Sequence, residues 1–141
     1  PAVEAAREGI SIPILTSFEA LIETAFKTGN NFTLIATDPG TNKMLQRDMQ
    51  LYANKEKQTL QTEAIFVDQA MSLLSSGDQQ GHDELVMNAA LQAQNCDAIL
   101  LGQFSMGPTK PLIEAKINLP VLDAPETAVI KLKNLFTDQT E

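Results

Sequence analysis

The chain has 141 residues, 43% of them hydrophobic and 20% charged, which are ordinary proportions for a globular domain with a real core. Its formal net charge of −8 argues against nucleic acid or an anionic membrane surface as partner, since both need clustered Lys and Arg. The single cysteine, Cys96, excludes an internal disulfide and fits a reducing cytoplasm, and one histidine beside one cysteine makes a structural zinc site implausible.

Ala2 to Glu8 suits a helix, with Gly9 as its stop; this start is polar, and no apolar run approaches the length of a membrane span. Ile12-Pro13-Ile14-Leu15 reads as a short extended segment, a strand start or an edge because of its proline. Thr16 and Glu19 have capping-box spacing, and Phe18, Leu21, Ile22 and Ala25 recur at helical spacing up to Gly29. The first residue is Pro1 and the chain opens on what looks like a helix end. Residues 1–29 are therefore expected to be the last helix–strand–helix of a preceding unit cut at its amino side.

Phe32-Thr33-Leu34-Ile35-Ala36 starts a new unit as a strand, followed by the loop Thr37-Asp38-Pro39-Gly40-Thr41 and a helix from about Asn42 to Ala53. Two hydroxyls flank a glycine at this strand-to-helix junction, where amides and hydroxyls can hold a carboxylate or phosphate. The alternative is an ordinary turn with Thr41 as helix cap. Neither a Walker loop nor a Rossmann fingerprint is present, and no cofactor is expected. Lys55-Glu56-Lys57 reads as a solvated turn and Ala64 to Val67 as the next strand; Asp68 is placed as the cap of a short helix ending near Leu74. A longer helix spans about Gln80 to Gln94. His82 near its start reads as a solvated or capping histidine, and a general-base role would rest only on its being the sole one.

Cys96 reads as a half-buried, inert thiol at the amino edge of the next strand. Ala98-Ile99-Leu100-Leu101 is an unbroken apolar run, the mark of a strand buried on both faces. The turn Gly102-Gln103-Phe104-Ser105-Met106 then lies at its carboxyl tip, the rim where ligands bind in open parallel sheets. Gln103 and Ser105 could bond a small polar ligand there, or Ser105 could merely cap the turn. Lys110 to Ala115 is a helix and Leu119 to Leu122 a last strand. Asp123 and Glu126 form a second capping box with Pro125 in the first turn. The final helix carries Ala128, Val129, Leu132 and Leu135, and the tail Thr137 to Glu141 is expected to fray. Alternating strands and helices predict an α/β fold: a three-layer α/β/α, flavodoxin-like domain with a parallel four-stranded sheet over residues 30–123.

The pieces Ile12 to Leu15, Phe32 to Thr37 with Thr41, Asp97 to Gly102, and Leu119 to Asp123 resemble, in order and spacing, the aspartate/glutamate/hydantoin racemase superfamily. Gln103-Phe104-Ser105-Met106 is similar to a branch with Gln-x-Ser-Met where others carry a catalytic cysteine. The resemblance implies two like domains with the site in the cleft between them and no pyridoxal phosphate. It also implies two thiols that remove and return a proton on opposite faces of a substrate carbon. It further implies a final helix, residues 124–141, returning to the first domain. The candidate substrate-binding residues are Thr37, Gly40, Thr41, Gln103, Ser105 and Met106. Thr37 and Thr41 match threonines that help hold substrate carboxylate. With Gln103 at the second thiol position and the first expected upstream of Pro1, the isolated chain is expected to be inactive. A one-thiol decarboxylase or cis–trans isomerase relative is one alternative, a non-catalytic domain binding a small acid or a protein another. Because residues 2–28 are expected to lack the sheet they should pack on, a homo-oligomer or exchange of this segment is expected too.

Overall fold

The computed structural model describes residues 2–137. The chain runs α1 (Ala2–Gly9), α2 (Ser17–Ala25), β1 (Asn31–Ala36), α3 (Pro39–Glu56), β2 (Gln61–Phe66), α4 (Ala70–Ser75) and α5 (Gln79–Ala90). It continues through β3 (Ala98–Leu101), a 3₁₀ turn (Phe104–Thr109), α6 (Lys110–Glu114), β4 (Val121–Asp123) and α7 (Ala124–Thr137). All four strands are parallel, in the order β2-β1-β3-β4. The expected frayed tail falls mostly on residues 138–141, outside the described residues. None of the described helices is long and apolar enough to cross a membrane.

The central strands are the apolar ones, and for a physical reason. Phe32 to Ala36 and Ala98 to Leu101 are all buried, because helices cover both faces of β1 and β3. On one face Ile35, Ile99 and Leu101 pack with Val86, Ala90, Met106 and Ile113 from α5, the 3₁₀ turn and α6. On the other, Phe32, Leu34 and Leu100 pack with Leu21, Ile22, Leu45 and Met49 from α2 and α3. The edge strand β2 is mostly exposed and begins at Gln61, three residues before the expected Ala64, since its polar start never needed an apolar signature.

Five local expectations are corrected. Ile12 to Leu15 forms no strand; Arg7 instead bonds the Ile14 carbonyl through Nε (3.2 Å) and Nη2 (2.7 Å). The Thr16–Glu19 capping box is present, but α2 packs on this chain's own sheet through Ala20, Leu21, Ile22 and Ala25, so that helix does not lack one. Asp68 does not cap α4: the cap is Gln69, in the left-handed region at φ 65°, and Asp68 only accepts its N–H. Asp123 accepts the Glu126 N–H at 2.7 Å, but the Glu126 carboxylate turns to Lys110, so only half of the second capping box forms. His82 is fully buried rather than solvated, on the inner side of α5. The last helix, α7, lies against α2, and Lys131 bonds Glu23 at 2.7 Å across the pair.

Candidate functional site

The chain leaves β1 toward β2 on one side and β3 toward β4 on the other. The connections therefore part company between β1 and β3, and the carboxyl ends of those two neighbours form the topological switch point of the sheet. Thr37 directly follows β1, and Gly102 and Gln103 follow β3, so both candidate loops stand on one rim.

They are also bonded to each other. Gln103 Oε1 accepts the backbone N–H of Thr37 at 2.6 Å and the Thr37 hydroxyl at 2.8 Å. Beside this clip the Gly102 N–H donates to the Ile35 carbonyl at 2.8 Å. A Cβ on Gly102 would sit 3.1 Å from the Thr41 methyl, 3.2 Å from Ile35 O and 3.4 Å from the Ala36 Cβ. The glycine is thus what lets Thr41 lie against the tip of β3.

The start of α3 is organised by Asp38 rather than Thr41. Asp38 Oδ2 accepts the Thr41 N–H at 2.9 Å and the Thr41 hydroxyl at 3.2 Å, with Pro39 in the first turn. Asp-Pro after a strand is the helix-start signal that points to this cap, an aspartate followed by a proline that needs no amide partner. Gly40 is exposed; a Cβ there would approach Asp38 Oδ2 at 3.0 Å, so its bareness leaves room for the cap.

The hydrogen-bond polarity of the rim follows. A hydroxyl has one proton. Thr37, a buried residue, donates its proton to Gln103 and Thr41 donates its own to Asp38, so on both threonines only lone pairs remain for a further partner. Gln103 has its carbonyl engaged and its Nε2 amide group without a partner among the described residues. Ser105 is half-buried and makes no side-chain bond among them. The rim therefore offers donors at Gln103 and Ser105 and acceptors at Thr37, Thr41 and Asp38. Met106 is fully buried in the core beneath the turn, and supports it from below.

Cys96 is half-buried against the core at the opposite end of β3. Its neighbour Asp97 is engaged with the backbone: Asp97 Oδ2 accepts the N–H groups of Asn30 at 2.8 Å and Asn31 at 2.9 Å. Among the described residues no cluster of His, Cys, Asp and Glu could hold a metal ion.

A family model described as Asp/Glu/Hydantoin racemase matches residues 1–132. No curated protein matches the chain in sequence. Solved structures similar to it include an allantoin racemase from Klebsiella pneumoniae, with a TM-score of 0.71, 23% identity, and 97% of this chain covered against 56% of that one. An allantoin racemase from Pseudomonas fluorescens gives a TM-score of 0.68 at 20% identity, covering 91% of this chain and 54% of that one. A glutamate racemase isoform from Bacillus anthracis gives 0.67 at 16% identity, covering 97% and 53%. These likenesses show the fold, and the chain spans about half the length of the structures it matches.

Proposed function

Because the chain belongs to the Asp/Glu/hydantoin racemase family, we propose that its β1–β3 rim holds a small carboxylate of the amino-acid kind. We propose further that it supplies the substrate-orienting side of a proton transfer that needs no pyridoxal phosphate. One observation carries the reading: the Gln103 side-chain carbonyl is held by Thr37, which leaves its amide N–H groups as fixed donors without a partner among the described residues.

In this reading Gln103 Nε2 and the Ser105 hydroxyl take the substrate carboxylate. The lone pairs of Thr37 and Thr41, with the carboxylate of Asp38, face an ammonium or an N–H of the ligand. This revises the part first given to the threonines, whose protons are already committed. An amide does not give or take a proton near neutral pH, so Gln103 cannot stand in for a thiol. Cys96 is at the other rim. The isolated chain therefore binds without turning over. A one-thiol reaction stays open to a protein whose thiol reaches this rim from another segment, whereas a purely binding role gains support from the same pinned Gln103.

The test is a titration of the isotope-labelled chain with D- and L-glutamate, D- and L-aspartate and allantoin, followed by NMR. Shifts centred on the Gln103 side-chain amide, Ser105 and Thr41 support the site; shifts confined to other surfaces refute it. Incubation in deuterated water reads turnover in the same samples. Deuterium entering the α-carbon of any of them overturns the assignment of inactivity.

A further inference from the structure

The buried histidine lies outside this ligand-facing set, and its surroundings give it a task. Asp83 Oδ1 receives three donors: Gln79 Nε2 at 2.7 Å, His82 Nδ1 at 2.8 Å and the Thr109 hydroxyl at 2.9 Å. An ionised carboxylate oxygen can only accept, so Nδ1 carries the ring proton. His82 Nε2 is buried and has no partner among the described residues. A leucine of similar size would fill the same space without leaving a nitrogen orphaned. What a leucine would lack is the Nδ1 donor.

That donor acts on the rim through Thr109. Thr109 is fully buried and ends the 3₁₀ turn that begins next to Gln103. The turn is held at its near end by Gln103 on Thr37 and at its far end by Thr109 on Asp83, with Ser105 between the two anchors. The amino-terminal part of α5 is in this way the seat of the β3 tip.

We propose that His82 is a positioning residue for the proposed ligand site. Its Nδ1–H fixes the Asp83 carboxylate in the orientation that anchors Thr109, and this sets where Gln103 and Ser105 stand. The significance of the assignment rests on the reading of the rim as a ligand site. Its test does not, because it is made on the unliganded chain.

The measurement is native-state hydrogen exchange of the full chain, followed at the Met106 N–H, which closes the turn by donating to the Gln103 backbone carbonyl at 3.1 Å. His82→Leu is expected to speed this exchange about tenfold, the equivalent of one lost hydrogen bond, while the amides of β1 keep their protection. His82→Asn places an N–H where Nδ1 stands and is expected to restore slow exchange. His82→Gln places it where Nε2 stands and is expected not to. Thr109→Val keeps the side-chain shape, removes the bond and should reproduce the leucine result. It decides the matter alone if the leucine variant does not fold. Unchanged exchange at Met106 in either variant, equal rescue by Gln and Asn, or uniform acceleration across the sheet each overturns the proposal. Ligand titrations that fail while these exchange results hold would overturn the proposed function and leave standing only that His82, through Asp83 and Thr109, sets the turn after β3.

Discussion

Gln103 Oε1 and the backbone N–H of Thr37 meet at 2.6 Å, across the gap where the tips of β3 and β1 diverge. The Thr37 amide is at a buried position, and the glutamine carbonyl takes the place that a further rung of the ladder would otherwise fill.

Gln103→Leu leaves that amide without its partner, and we expect a loss of about 1–3 kcal/mol in urea unfolding with an unchanged denaturant slope. Thr37→Val removes only the hydroxyl bond and is expected to cost about 1 kcal/mol. In the Gln103→Leu background the same change should cost much less, because the bond it deletes is already gone. Gln103→Glu separates the two functions of the residue. A carboxylate still accepts both bonds, so stability is kept, but it offers no donor to a ligand carboxylate, so binding is expected to be lost.

Gly102→Ala tests the other contact between the tips. The new methyl meets Thr41 Cγ2 at 3.1 Å and the immovable Ile35 carbonyl at 3.2 Å. We expect a cost of about 1–2 kcal/mol, with Thr41 displaced from the rim, read as weaker ligand binding and a shifted Thr41 amide resonance. Thr41→Ser removes the clashing methyl and keeps the hydroxyl that bonds Asp38, so the pair of changes should recover part of the loss. No recovery would place the strain on the Ile35 carbonyl alone.

The legible parts of this molecule were those where burial is two-sided. Ala98 to Leu101 and Phe32 to Ala36 announce central strands because helices cover both faces, and they put both candidate loops on one rim. The edge strand hid its first three residues, Gln61 to Glu63, since an exposed edge needs only backbone pairing. Side-chain roles were less legible. Asp38 and Thr41 are both cap residues by type, and the signal that favours Asp38 is Pro39 directly after it, which needs no amide partner in the first turn. His82 stands among polar residues in sequence, yet helical geometry turns it inward while Gln80 and Glu84 bond each other outside. The Gln103–Thr37 bond spans 66 positions, beyond the reach of any local pattern.

On the opposite rim of the sheet, Gly29 and Asp97 make a lock whose parts can be tested separately. A Cβ on Gly29 would fall 2.1 Å from Asp97 Oδ2, the oxygen that holds the Asn30 and Asn31 amides. Gly29→Ala must push the carboxylate off, and Asp97→Ala removes it. Each is expected to destabilise by about 2–4 kcal/mol through two lost charge-assisted bonds at the start of β1. The double variant should lie close to either single one, because both act on the same pair of bonds. Additive losses would show that the glycine serves something other than the aspartate.

Arg7 ties the amino-terminal helix to the chain through the Ile14 carbonyl and through an ion pair with Glu19, and the ion pair makes that attachment pH-sensitive. No residue of α1 is buried, so packing contributes little to holding it. Arg7 Nη2 reaches Glu19 Oε1 at 2.8 Å and Oε2 at 2.7 Å, and Glu19 Oε2 also accepts the Thr16 N–H at 3.1 Å. The Arg7 hydrogen bond holds the Glu19 carboxyl below its ordinary value of 4.5, partial burial opposes this, and the Thr16 amide adds to the lowering. A carboxyl with a depressed folded-state value contributes stability above its unfolded value and loses it as pH falls through the folded one. The attachment of α1 is therefore expected to be complete at neutral pH and to weaken below 4.5, where only the Arg7 bonds to the Ile14 carbonyl remain. Amide exchange along Ala2–Gly9 should accelerate there while β1 and β3 remain protected. Glu19→Gln should show the accelerated exchange already at neutral pH and no further acid step. If the acid step survives in that variant, another carboxyl governs it and Glu19 serves only the capping box of α2.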